Sequence, residues 1–130
     1  GVRLVGSEMC IRDRNIIYEK LLNDKLGTNL GYLYENVVAQ MLVARGNNLF
    51  YYTMESDTSN HLYEIDFLLS KGDKINPIEV KSGNYRGHKS LDMFCDKYSS
   101  RIRDKYVVHT KDYKWENGIH YLPVYMIPFL

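Results

Sequence analysis

The sequence predicts an α/β domain, with a mixed sheet of four or five strands flanked by helices. Three observations predict it. Leu30, Leu33, Tyr34, Val37, Val38, Met41 and Leu42 recur at helical spacing. Downstream lie two short runs, Glu64-Ile65-Asp66-Phe67 and Pro77-Ile78-Glu79-Val80-Lys81, which alternate as strands do. A second helical stripe, Leu91, Phe94, Cys95 and Tyr98, separates them from the β-branched pair Val107-Val108. Strands joined by short turns pair antiparallel, whereas a helix between strands permits a parallel crossover.

Taken in order, the elements read as follows. Residues 1–14 show no clear helical or strand period. They resemble a translated sequencing-adapter tail, so they are set aside as a non-native tail, with residues 15–130 forming the domain. The chain is then expected to be a fragment of a longer protein. Residues 15–26 suit a short amphipathic helix, stopped by Gly27. The next helix can be capped by Asn29 and ended by Gly46-Asn47. Glu35 lies at the edge of its apolar stripe, near the helix–sheet boundary. Residues 49–53 form a strand by aromatic and β-branched content, and 54–60 a polar loop. Residues 62–69 and 75–81 form a central hairpin around a polar, Gly-containing loop. Residues 82–87 are rich in turn residues. The second helix, a strand over 105–109, a loop or hairpin turn over 111–118 and a last short strand over 119–122 follow. Pro123 and Pro128 make the tail irregular or an edge strand.

The composition is that of an ordinary globular domain: 130 residues, 45% hydrophobic, 25% charged, net charge +1. Bulk charge therefore does not announce a nucleic-acid binder. Cys10 and Cys95 have no metal-type spacing, which fits a reducing compartment. No apolar run approaches the roughly 20 residues of a membrane span, and no signal peptide is evident. A cytoplasmic protein with no membrane partner is expected. No phosphate-cradling G-x-x-x-x-G-K-[ST] loop is present.

The chemistry concentrates on the hairpin. In the first run, Ile65, Phe67 and Leu69 should share one face, and Glu64 and Asp66 the other. In the second, Ile78 and Val80 oppose Glu79 and Lys81. Folding the hairpin can bring Asp66 close to Glu79 and Lys81. Two carboxylates and a lysine suit a hard divalent cation and a phosphate. A plain cross-strand ion pair of Asp66 with Lys81 is the alternative. Glu35 could add a carboxylate from the packed helix. Arg86, His88 and Lys89 could contact phosphate at a helix start, or could simply be solvated there. Arg101, Arg103 and Lys105 are either a backbone-tracking cluster or a solvated face. His61, His109 and His120 lack ligand-like spacing, and Trp115 is expected to pack.

Glu35 on the first core helix, Asp66 in Glu64-Ile65-Asp66-Phe67, and Glu79-Val80-Lys81 after Pro77-Ile78 resemble the PD-(D/E)XK nuclease superfamily. The order helix, three strands, helix, strand (αβββαβ) is that of its restriction-endonuclease-like fold. Gly31-Tyr32-Leu33-Tyr34-Glu35-Asn36, Glu64-Ile65-Asp66-Phe67 and Ile78-Glu79-Val80-Lys81-Ser82 look like the C-terminal domain of many bacterial and archaeal AAA-type ATPases. That domain has no settled function. The resemblance covers roughly residues 15–130 and departs at Ile65, where the superfamily's name has proline. It implies Mg²⁺ or Mn²⁺ on Asp66 and Glu79 with help from Glu35, Lys81 as the catalytic cation, DNA as substrate, and an ATPase domain upstream. A catalytically inactive module binding DNA or protein is the alternative it leaves open.

Overall fold

The computed structural model describes residues 2–5, 30–57, 60, 62–83 and 86–130, with residues 2–5 and 30 described by their backbone alone. The helix expected over 15–26 and the cap expected at Asn29 lie outside these residues.

Helix α1, Leu30–Ala44, is followed by strands β2, Leu49–Glu55, β3, Leu62–Lys71, and β4, Lys74–Val80. Helix α2, Lys89–Lys97, crosses over to β5, Lys105–His109. Strands β6, Lys114–Glu116, and β7, Ile119–Pro123, complete the chain with a 3₁₀ helix over Val124–Phe129. The helix–three strands–helix–strand order is therefore present. The first strand of the sheet, β1, Val2–Val5, lies in the segment expected to stand outside the fold.

The sheet has seven strands in the order β1-β2-β3-β4-β5-β7-β6, not four or five. Two additions account for the difference. Strand β1 pairs antiparallel with β2, Val2 opposite Tyr52 and Val5 opposite Leu49. An edge strand needs only backbone partners, so it can form without a readable apolar alternation. At the other edge the segment expected as a loop or hairpin turn contains β6, which pairs antiparallel with β7, and β7 lies between it and β5, parallel to the latter. Asn117 and Gly118 both have positive φ, at 52° and 75°. That is the backbone of a two-residue Asn-Gly hairpin, whose twist matches the strands it joins. The central pair, β4 beside β5, is parallel, as the helical crossover requires.

Two apolar cores lie between the sheet and its helices. In one, Val38, Ala39 and Leu42 of α1 pack with Phe67, Leu69, Ile78, Val80 and Val108. Val37, expected on this stripe, is exposed, and Ala39 takes the inward place. In the other, Leu91, Phe94 and Cys95 of α2 pack with Ile65, Leu68, Val107 and Tyr121. Each fully buried aliphatic side chain stabilises the fold by about 1.5–3 kcal/mol. Helix α1 ends at Gly46, whose φ of 84° only glycine adopts cheaply. The N–H and side-chain amide of Asn47 both donate to the Leu42 carbonyl. The tail, expected to be irregular or an edge strand, is a 3₁₀ helix that buries Ile127 against α1's core. Trp115, expected to pack, is 65% exposed on edge strand β6. Among the described residues, no helix is long and apolar enough to cross a membrane.

Asn76 is a buried polar side chain in β4 whose Oδ1 accepts the Asp104 N–H at 3.1 Å. Asn76→Ala should cost about 1–3 kcal/mol, because it leaves a half-buried N–H without its acceptor. Urea unfolding of the two proteins measures this difference.

Candidate functional site

The site is built where β3 and β4 part. Their last paired positions are Phe67 with Ile78, and one residue further stand Asp66 and Glu79. Against β2, strand β3 carries a bulge at this same point. Phe50 pairs with Leu68 but Tyr52 with Ile65, so Tyr51 alone opposes Asp66 and Phe67. A bulge re-aims side chains and interrupts strand pairing. Its effect is visible in the cores: Ile65 packs toward α2, while Phe67 and Leu69 pack toward α1. The expected common face of Ile65, Phe67 and Leu69 is thus corrected. The extra residue inverts the alternation between Ile65 and Phe67, next to Asp66.

On β4 the alternation holds. Ile78 and Val80 enter the α1 core, and Glu79 and Lys81 form a pair of their own. Lys81 Nζ lies 2.6 Å from Glu79 Oε1. Glu79 is only 6% exposed, and its Oε2 is buried with no hydrogen-bond partner. Asp66 does not pair with Lys81 directly. Its Oδ2 accepts the Val80 N–H at 2.7 Å, which fixes its carboxyl between Glu79 and Lys81 in sequence. The backbone N–H of Lys81 donates to the Val108 carbonyl at 2.8 Å and holds the end of β4 against β5. A Cβ on Gly31 would sit 3.4 Å from Ser82 Oγ, so the end of β4 meets the first turn of α1.

The electrostatics tie the four predicted residues into one group. Burial, then the charge of Glu35, push the Asp66 carboxyl up to about 7. The Val80 N–H and Lys81 oppose that shift, and Glu79 adds to it. Burial also raises Glu35, followed by the charge of Glu64, with Lys81 opposing. Glu35, Asp66, Glu79 and Lys81 are therefore brought together. Glu64 belongs beside them, although the sequence did not single it out. Its place two residues before Asp66 is no signal of this, because the bulge breaks the alternation there.

The other candidates are dispersed. His88 has both ring nitrogens engaged, Nδ1 with Asp92 at 3.0 Å and Nε2 with the Tyr121 hydroxyl at 2.9 Å. Lys89 Nζ stands 5.7 Å from the centre of the Tyr63 ring. Arg86 is exposed, close enough to Glu116 to help lower its pKa. Arg103 pairs with Asp104 at 3.6 Å. His120 stacks on Tyr106 and engages the Tyr113 hydroxyl through Nδ1. His109 is buried, with Nδ1 accepting the Lys111 N–H, and burial lowers its pKa.

The donor set suits a hard cation. Carboxylate oxygens are the ligands of Mg²⁺, which uses one or two of them and fills its remaining positions with water or phosphate. The partnerless Glu79 Oε2, buried beside Asp66, is the kind of oxygen such an ion would satisfy. Among the described residues, no group of three or more His, Cys, Asp or Glu side chains is placed to hold a metal ion.

Residues 30–127, which include all four site residues, match the family model described as "Domain of unknown function (DUF4143)". The chain belongs to this family. No curated protein matches the DUF4143 chain. Among solved structures, the chain is similar to protein VC1899 from Vibrio cholerae, at 12% identity and a TM-score of 0.44. The match covers 98% of this chain and 43% of that one, so the DUF4143 chain spans less than half of that protein's length.

Proposed function

We propose that this DUF4143 domain is a PD-(D/E)XK-type nuclease that hydrolyses phosphodiester bonds of DNA with Mg²⁺ or Mn²⁺. The observation that carries the reading is the buried, partnerless Glu79 Oε2 beside Asp66 and Lys81. Asp66 and Glu79 would hold the cation. When bound, the cation lowers the pKa of its water and offsets charge on the scissile phosphate. Lys81 offsets charge on the non-bridging phosphate oxygens. Glu35, its pKa raised by burial, accepts the proton of the attacking water. The water oxygen bonds to phosphorus, and the ester oxygen leaves. In the intact protein, this domain would follow an AAA-type ATPase domain and be coupled to it.

A non-catalytic module that binds DNA or a partner protein is the second reading. The 2.6 Å Lys81–Glu79 pair favours it, since an ion pair is also what a retired site would keep. Incubation of the purified chain with plasmid and single-stranded DNA, in Mg²⁺ or Mn²⁺, separates the two. Cleavage is expected, falling by roughly 10²–10³-fold in Asp66→Ala and Lys81→Ala. Cleavage that both variants retain would place the activity elsewhere. No cleavage by the unaltered chain would favour the module.

A further inference from the structure

We propose that Lys81 is the resident counter-ion of the cation site, and that its ammonium leaves Glu79 when a divalent cation binds. This rests on the reading that Asp66 and Glu79 hold the cation. A carboxylate as buried as Glu79 needs a compensating charge. In this structure Lys81 supplies it through one oxygen only, at 2.6 Å. An ammonium that close repels an incoming dication, because like charges at contact distance in a poorly solvated site interact strongly. The two cations are therefore competitors for one carboxylate.

The geometry lets them exchange without moving the fold. The Lys81 backbone stays pinned by its N–H to the Val108 carbonyl. Its side chain is 28% exposed, against 8% for that of Glu79, so the ammonium has a route to solvent along its flexible stem. Asp66 has no comparable freedom, because its Oδ2 is tied to the Val80 N–H. Once displaced, the ammonium is free for an anion. A phosphate that takes it up removes the competitor, so cation and phosphate reinforce each other's binding, and reciprocally. The exchange thus ties occupancy of the cation site to the presence of a phosphodiester.

Calorimetric titration of Mn²⁺ into the unaltered chain, Lys81→Met and Lys81→Arg tests the exchange. Lys81→Met should bind Mn²⁺ about tenfold more tightly than the unaltered chain, and Lys81→Arg should not. In EDTA, Lys81→Met should melt lower than the unaltered chain, and Mn²⁺ should restore it. If Lys81→Met does not fold in EDTA, Lys81→Gln carries the same expectation, since it keeps a donor without the charge. Equal or weaker Mn²⁺ affinity in the neutral variants would overturn the exchange and leave the cation site standing. Absence of Mn²⁺ binding in every protein would overturn both.

Discussion

Asp66→Asn is expected to raise the thermal midpoint of the metal-free protein at about pH 8, and to raise it much less at about pH 5. The Asp66 carboxyl is pushed up to about 7 from 3.8, first by burial and then by Glu35. The folded chain therefore binds this proton more tightly than the unfolded chain does. Between those two values stability falls as pH rises, and above about 7 the loss is complete. At about 1.36 kcal/mol per unit, the ionised carboxyl costs up to about 4 kcal/mol. Asparagine carries no charge and can still accept the Val80 N–H, so it should recover much of that cost. The gain should reach several degrees or more at the higher pH. Mn²⁺ narrows that difference. At a hundredfold excess over Kd it should stabilise the unaltered chain by about 2.7 kcal/mol, and should leave Asp66→Asn unmoved. Thermal melts of both proteins, at both pH values, with EDTA and with Mn²⁺, measure all of this. An equal Mn²⁺ response in Asp66→Asn would remove Asp66 from the cation site.

Leu42→Ala should produce the largest loss of stability, about 2–5 kcal/mol. Leu42 is fully buried in α1's core, which also contains Leu49, Phe67, Ile78 and Ile127. Truncation removes apolar contact and leaves a cavity that a sheet on one side and a helix on the other cannot easily close. The consequence reaches the site, because α1 also carries Glu35 near the end of β4. The urea midpoint should fall with little change in slope, and the Mn²⁺-induced rise in thermal midpoint should shrink. An unchanged urea midpoint would mean that α1 contributes little to the core.

What was legible in the sequence was local and periodic. Ile78-Glu79-Val80-Lys81 alternates in the fold as it does on paper, with its apolar pair in one core and its charged pair joined. Leu91, Phe94 and Cys95 bury one face of α2 as their spacing requires. Gly46 ends α1 by its positive φ. What stayed hidden had no local cause. The bulge at Asp66 depends on how β2 and β3 align, and strict alternation therefore put Ile65 on the wrong face. The insertion of β7 between β5 and β6 is a long-range pairing, and its sequence trace is only the Asn117-Gly118 turn. Glu64 joined the site through the charge of Glu35 on another element, which no spacing within β3 announces. Trp115 gave the signal of a packed aromatic but lies on an edge strand with nothing beyond it among the described residues.

Electron paramagnetic resonance of Mn²⁺ in the presence of the chain tests most directly whether Asp66 and Glu79 form a cation site. Free Mn²⁺ gives a sharp signal that binding removes. At about pH 8, the unaltered chain should deplete that signal by about one ion per chain, using two carboxylates as such hard cations do. Asp66→Ala and Glu79→Ala should each restore it. Depletion that is the same in all three proteins, or absent from the unaltered chain, would contradict the site.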